Sequence, residues 1–359
     1  MDQLASKTVL QPFENIEVIQ EKSIQLSETL VTLAQGSGGA ATHALIEGLF
    51  AHAFANSLLS KLDDAAVFPV DGARLAFTTD SYIVDPLFFN GGDIGDLAVN
   101  GTVNDLATSG AEPLYLTAGF IIEEGFPLTD LERIVQSMAR AAAQAGVSIV
   151  TGDTRVVNKN RADKLFINTA GIGVIRRQVN LSAANAQPGD KVILSGPIGE
   201  HGVAIMAARG ELDGNFKSDT APLNGLIKSI FHVTTQVHCL KDPTRGGIAT
   251  ALNQIAKSSG VTITIQEDAI LVSAETRRAC ALLGIDPLQA ANEGKLIAIV
   301  PGEIADTVVA AMRQHPIGKN ARVIGEISAE SKDVVLLQTQ TGGHRVIDML
   351  TGDRLSRIC

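Results

Sequence analysis

The chain has 359 residues, a formal net charge of −10, 45% hydrophobic and 19% charged residues, and no Trp. That balance excludes a disordered chain and argues against a nucleic-acid partner, which needs positive charge along a phosphate backbone, while the length suits two domains with sizeable cores. No stretch approaches about 18 apolar residues and the opening MDQLASKTVLQPFENIEVIQ has no basic-then-apolar leader pattern, so neither a membrane span nor a signal peptide is expected, and a cytoplasmic location is.

Residues 1–27 are polar and aperiodic and read as an extension. A short apolar run then meets the glycine loop QGSGG, with a helical pattern from about Ala40. ARLAFTTDSYIV reads as a strand ending at Asp80, DIGDLAVNGTVNDLATSGA as a helix stopped before Gly110, and LYLTAGFII as a strand. Thr129–Ala145 is the clearest helix: Leu131, Ile134, Val135, Met138 and Ala142 recur at helical spacing. Thr129 with Glu132 predicts a capping box, and Gly146 ends the run. VSIV leads into TGDTR, and KLFINTAGIGVI is a further strand. NAQPGD marks a Pro-Gly break. Beyond it KVILS, VTITI, KLIAIV and VVLLQT alternate with helices near 246–258, 275–283 and 303–313. The expected division is an extension 1–27, an N-terminal domain 28–187, a C-terminal domain 188–345 and a tail 346–359, all of mixed α/β class.

The cysteines, Cys239, Cys280 and Cys359, form no CxxC pair, so neither a zinc site nor a disulfide framework is signalled. Cys359 is the last residue. A thiol on a frayed terminus is exposed to oxidation, which favours a thiol that works over one that fell there by chance. Acidic residues of the first half sit at strand ends beside glycine or small polar residues: Asp63 and Asp64 in LDDAAV, Asp80 in FTTD, Asn104 and Asp105 in TVNDLA, Asp153 in TGDT. Each alone suits a cap or turn. Together, oxygen ligands so placed suit Mg2+ and phosphate. Gly36, Ser37, Gly38 and Gly39 could cradle phosphate through backbone N–H groups or form an ordinary turn, and there is no Walker A loop. Gly101, Asn104, Asp105 and Thr108 share one helical face, open to ligand or to solvent. DPTRGG and ANEGK pack charge and glycine together, and each also fits a surface turn. His238 beside Cys239 reads as structural.

In order along the chain, GSGG, DDAAV, TTDSYIVDPLFFNGGDIGDLAVNGTVNDLATSGA, IIEEGFP, TGDTRVV, DKLFINTAGIGVI, DPTRGG, ANEGKL, HPIGK and the terminal RIC resemble the HypE family of hydrogenase maturation factors, from about residue 30 to the end. The resemblance implies the two-domain aminoimidazole ribonucleotide synthetase-like α/β fold, a homodimer through the N-terminal sheets, and ATP bound near that interface with Mg2+. It implies that the HypF carbamoyltransferase loads Cys359, that ATP-dependent dehydration gives a thiocyanate, and that cyanide passes to iron on a HypC–HypD complex. Carried over, Asp63, Asp64, Asp80, Asn104, Asp105 and Asp153 hold ATP, with Asp64, Asp80, Asp105 and Asp153 on the metal. Gly36 to Gly39 close over the phosphates, Thr151 and Gly152 line them, and Glu293 assists proton removal at the tail. Four positions depart from the family pattern: Arg155 for lysine, Ser356 for proline, Gln35 for histidine and Asn100 for cysteine. Arg155 stays protonated, so it suits holding phosphate or the carbamoyl oxygen rather than acting as a base. Two rival readings are a small-molecule kinase of the same superfamily and a non-catalytic nucleotide-binding scaffold.

Overall fold

The computed structural model describes residues 30–330, 333–352 and 356–359, so the expected extension 1–27 lies outside the described residues. Two sheets organise the fold. The first holds β1 (Ala66–Val70), β2 (Ala73–Tyr82), β5 (Glu112–Glu123), β6 (Ser148–Val157) and β7 (Leu165–Ile175) in the order β1-β2-β7-β5-β6, antiparallel except for the parallel pair β5–β6. Asp71 and Gly72, both at positive φ, make the two-residue turn between β1 and β2; this is the backbone that an Asp-Gly hairpin turn supplies. A short ribbon of β3 (Phe88–Phe89) and β4 (Gly92–Asp93) follows β2.

Two helices cover one face of this sheet. Asp93 caps α3 (Ile94–Thr108), accepting from Gly95 and Asp96 N–H groups. This helix is buried almost all round, as expected of one enclosed on every side. It packs on the sheet, on α4 (Leu128–Ala145) and on a helix and a strand of the second half, which makes it the central strut. In α4, Ile134, Met138 and Ala142 are buried as their spacing predicts, while Val135 is exposed. Gly146 stops the helix at φ 73°, but the expected Thr129–Glu132 capping box is absent: Pro127 is the N-cap and Glu132 instead accepts from Gln136.

The second sheet runs β14-β13-β10-β12-β8-β11-β9, formed by β8 (Lys191–Leu194), β9 (Cys239–Lys241), β10 (Thr262–Gln266), β11 (Ile297–Val300), β12 (Arg322–Ser328), β13 (Val335–Gln338) and β14 (His344–Ile347). β14 carries the sheet two residues into the segment expected to form the tail. Helices include α5 (Glu200–Ala208), α6 (Asn224–Val233), α7 (Gly247–Ser259), α8 (Ala274–Leu283) and α9 (Ala305–Arg313). One core cluster joins the halves, running from Ala76, Leu97 and Met138 through Leu226 and Val308 to Ile358 and Cys359. The last residues of the chain are therefore core residues in this state.

Candidate active site

Three segments deliver carboxylates to one cleft between the halves. The loop before β1 brings Asp64, α3 brings Asp105, and the chain leaving β9 brings Asp242, with ligand oxygens all within 4.8 Å of one another. Asp80, near the end of β2, lines the same cleft. Burial drives the carboxyls of Asp105 and Asp80 upward, and neighbouring carboxylates add to it. Burial, then Asp64, pushes Asp242 to about 7. Like charges held this close cannot all ionise without a cation. Lys241 supplies one, half-buried and paired with Asp64. Thr78 Oγ1 lies 3.0 Å from Asp105 Oδ2, and Tyr82 O–H donates to Asp80 Oδ2 at 3.0 Å. An all-carboxylate donor set held together in this way fits a hard divalent cation.

The far wall comes from the glycine loop and α7. A Cβ at Gly38 would run into Arg245, and φ there is +77°, so the loop approaches Arg245 only because residue 38 is glycine. Gly246 and Gly247, both at positive φ, turn the chain into α7. Thr250 and Gln254 on that helix face the cleft; Thr250 Oγ1 is buried with no hydrogen-bond partner among the described residues, and Gln254 lies against His43. The cleft holds about 210 Å³. Pockets that enclose whole drug-sized ligands run roughly 300–1,000 Å³, so this volume suits a polyphosphate with its cation.

The tail end lies beside this cleft. Cys359 is 8% exposed and its thiol hydrogen-bonds Glu293, itself 3% exposed. Arg245 faces Cys359, Glu293 and Asp80, and so links the tail pocket to the acidic cleft. Burial, then the Glu293 charge, pushes the thiol well above its usual range, while Arg245 opposes. Burial likewise pushes Glu293 well up, with Asp242 and Asp219 adding to it. Glu293 Oε1 has no hydrogen-bond partner among the described residues.

Four groups grip the tail backbone, one of them Asp85 N–H, which donates to the Arg357 carbonyl at 3.2 Å. Arg209 donates to the carbonyls of Ser356 at 2.8 Å, Arg357 at 2.7 Å and Asp85 at 2.8 Å. His201 Nε2 donates to the Ile358 carbonyl at 2.9 Å, its Nδ1 accepting from Ser218 at 2.8 Å. Ile83 N–H reaches the Cys359 carbonyl at 3.4 Å. Arg357 pairs with Asp163 and lies 3.8 Å from Asp85.

Comparison with known proteins decides what this pair of pockets belongs to. The N-terminal domain family of AIR synthase related proteins matches residues 62–175, and the C-terminal domain family matches residues 187–338. Carbamoyl dehydratase HypE of Cupriavidus necator is 49% identical over 342 residues, 94% of this chain and 97% of that protein. The chain belongs to the HypE family of carbamoyl dehydratases. Among solved structures, a HypE–HypF complex matches with TM-score 0.81 at 49% identity, covering 86% of this chain and all of that one. A HypE bound to ATP matches with TM-score 0.77 at 46% identity, over 92% and 100% of the two chains. The two-sheet mixed α/β architecture is the AIR synthase-related fold.

Set against that family, the residues expected at the site fall into three groups. Asp64, Asp80, Asp105 and Gly38 line the acidic cleft, and Cys359 and Glu293 meet in the tail pocket. Gly36, Ser37 and Gly39 belong to the same loop; a Cβ at Gly39 would run into the Leu350 carbonyl, which also accepts from Ala40 N–H at 3.0 Å. Asp63 and Asn104 are engaged elsewhere. Asp63 Oδ1 accepts from Ser182 Oγ at 2.9 Å and Ala183 N–H at 3.0 Å. Asn104 accepts from Leu223 N–H at 2.7 Å and donates to the Ala221 carbonyl at 3.2 Å. Thr151, Gly152, Asp153 and Arg155 lie on β6, the exposed edge strand, where Arg155 pairs with Asp153 at 2.8 Å; none of the four lines the cleft within one chain. TGDTR thus lies within the strand rather than at its end. Sequence reasoning missed Asp242, Lys241, Arg245, His201 and Arg209 as site residues. DPTRGG held the signal for Asp242 and Arg245, whereas His201 sits on α5 and Arg209 just past its end, with no motif around either.

Proposed function

We infer that this chain is an ATP-dependent carbamoyl dehydratase of [NiFe]-hydrogenase maturation, converting an S-carbamoyl group on Cys359 to thiocyanate. The observation that carries this reading is the terminal thiol buried against Glu293 and Arg245, with Arg245 also lining the acidic cleft beside Asp80. A carboxamide oxygen leaves poorly, and ATP would supply the phosphoryl group that makes it leave. Mg2+ on Asp64, Asp105 and Asp242, with Asp80 beside them, would spread the phosphate charge. Arg245 stands between the two pockets and stabilises negative charge that develops on the oxygen. Glu293 takes protons from the carbamoyl nitrogen. Burial of the tail excludes water that would hydrolyse the thioester-like adduct. The tail backbone contacts orient the reacting group, so that the reaction is intramolecular in effect.

Loading of the thiol requires a different state. A thiol pushed well up in the docked position is a poor nucleophile, so the tail must leave its pocket to accept the carbamoyl group from a HypF-type transferase, and a HypC–HypD-type complex would then receive cyanide. The remaining residues carried over from the family, Thr151, Gly152, Asp153 and Arg155, would reach a cleft only across a homodimer. Supporting that arrangement, Phe77, Tyr115 and Ile121 are exposed on strands of the N-terminal sheet, and Val150 and Val156 are exposed on β6. In it Arg155 holds phosphate or carbamoyl oxygen while Glu293 is the base. The test is intact mass after carbamoyl loading, with and without ATP. The chain should gain about 43 Da on loading and lose about 18 Da on dehydration; a loaded chain that keeps its mass with ATP and Mg2+ leaves only a nucleotide-binding scaffold.

A further inference from the structure

Behind Glu293 lies a set of charged groups that the reaction above does not use. Glu293 donates its backbone N–H to Asp219 Oδ1 at 3.1 Å, and Ala221 N–H donates back to the Glu293 carbonyl at 3.3 Å. Two residues on, Lys295 Nζ lies 2.8 Å from Asp219 Oδ2 and 3.1 Å from Glu200 Oε2. The side chains of Asp219 and Lys295 are 3% and 8% exposed, and that of Glu200 is 32% exposed. Glu200 opens onto a second cleft of about 540 Å³ that shares no wall residue with the acidic one. Residue type enforces the approach: a Cβ at Gly294 would run into the Asp219 carbonyl. Asn292 ties the same turn down, accepting from Gly199 N–H at 2.8 Å and donating to the Pro243 carbonyl at 2.9 Å. ANEGK is therefore one assembly that reaches both the DPTRGG loop and the start of α5.

A buried Lys–Asp pair repays its desolvation poorly, and removing one partner leaves an uncompensated charge. Its value here is where it points. We propose that the Asp219–Lys295 pair is a positioning device for Glu293: Asp219 holds the peptide that aims the Glu293 carboxyl at Cys359, and Lys295 cancels the Asp219 charge that would otherwise face that carboxyl. The device rests on Glu293 being the proton acceptor. In the eliminating step Glu293 carboxylate takes the remaining N–H proton, the N–H electrons become the third C–N bond, and the C–O bond breaks with its electrons leaving on phosphate. The rate then rises with pH as Glu293 ionises. The charged and titratable groups facing it are Cys359, Arg245, Asp242, Tyr82 and Asp219, with His201 and Lys295 acting on Asp219.

The experiment follows loss of about 18 Da from the carbamoylated full-length chain in a single turnover with ATP and Mg2+, between about pH 5 and 9. Lys295→Met should move the acid limb up by about one pH unit, and Asp219→Asn should move it down by a similar amount. The double variant should bring the midpoint most of the way back, and Lys295→Arg should leave it in place. Unmoved midpoints with only a lower maximal rate would reduce the pair to a structural role and overturn the proposal. If the buried variants fail to fold, Glu200→Gln decides: a small downward shift supports the device and an unchanged midpoint overturns it. Wild-type chain that keeps its carbamoyl mass at every pH sinks the dehydratase reading along with it.

Discussion

The tail pocket and the acidic cleft touch through Arg245, yet they are built on opposite terms. The cleft crowds Asp64, Asp80, Asp105 and Asp242 with Lys241 as partial compensation, and it is open enough to admit a charged ligand. The pocket holds one carboxyl and one thiol, both buried, and backbone carbonyls gripped by Arg209 and His201. Crowded anions invite a cation and its phosphate, whereas a dry pocket raises the cost of charge on anything inside it. The difference teaches a division of labour: one side gathers negative charge for a cation and its phosphate, the other disfavours charge on the groups that handle the proton.

That contrast sets the order of expected effects. Cys359→Ala should abolish both the mass gain and the dehydration, with no residual product by intact mass. Asp242→Asn should leave loading intact and cut ATP-dependent dehydration by roughly 10²–10³-fold, the loss typical of removing a group that stabilises developing charge; equal losses in loading and dehydration would merge the two regions into one. Glu293→Gln should keep the tail docked and slow dehydration by about 10²–10⁴-fold, read as a persistent carbamoylated mass. Arg209→Met removes donors from three carbonyls and should weaken docking by about 1–3 kcal/mol, read as faster alkylation of Cys359 with cysteine chemistry otherwise unchanged.

Alkylation also carries a pH signature. The docked state raises the Cys359 pKa, so its stability is fully present below the undocked thiol value of about 8.5 and is lost as pH rises through the raised one. Modification of wild-type chain should stay slow near neutrality and accelerate more steeply above about pH 9 than in Arg209→Met. The smallest effect belongs to the exposed edge: Arg155→Ala should change folding stability by less than about 1 kcal/mol, because the Arg155–Asp153 pair is solvated.

Local signals carried much of the architecture. Helical spacing marked α4 and its glycine stop, because periodicity and turn chemistry act over a few residues. Acidic residues beside glycine or small polar residues marked Asp64, Asp80 and Asp105, although only Asp80 lies near a strand end, Asp105 being on α3 and Asp64 in the loop before β1. The Thr129–Glu132 box failed for the converse reason: Pro127 already ends the preceding chain, and the helix starts there. Resemblance to the family pointed to Glu293 and Cys359 together.

Residue order alone gave two α/β halves, an acidic chain and a thiol at the last position, since these rest on composition and short-range pattern. Folding decided the rest. It assigned Asn104 to the Ala221–Leu223 backbone, brought Asp242 and Lys241 to Asp64 from about 180 residues away, and gave His201 and Arg209 to the tail. Those pairings depend on which core surfaces pack against α3, and no window of neighbouring residues contains that information.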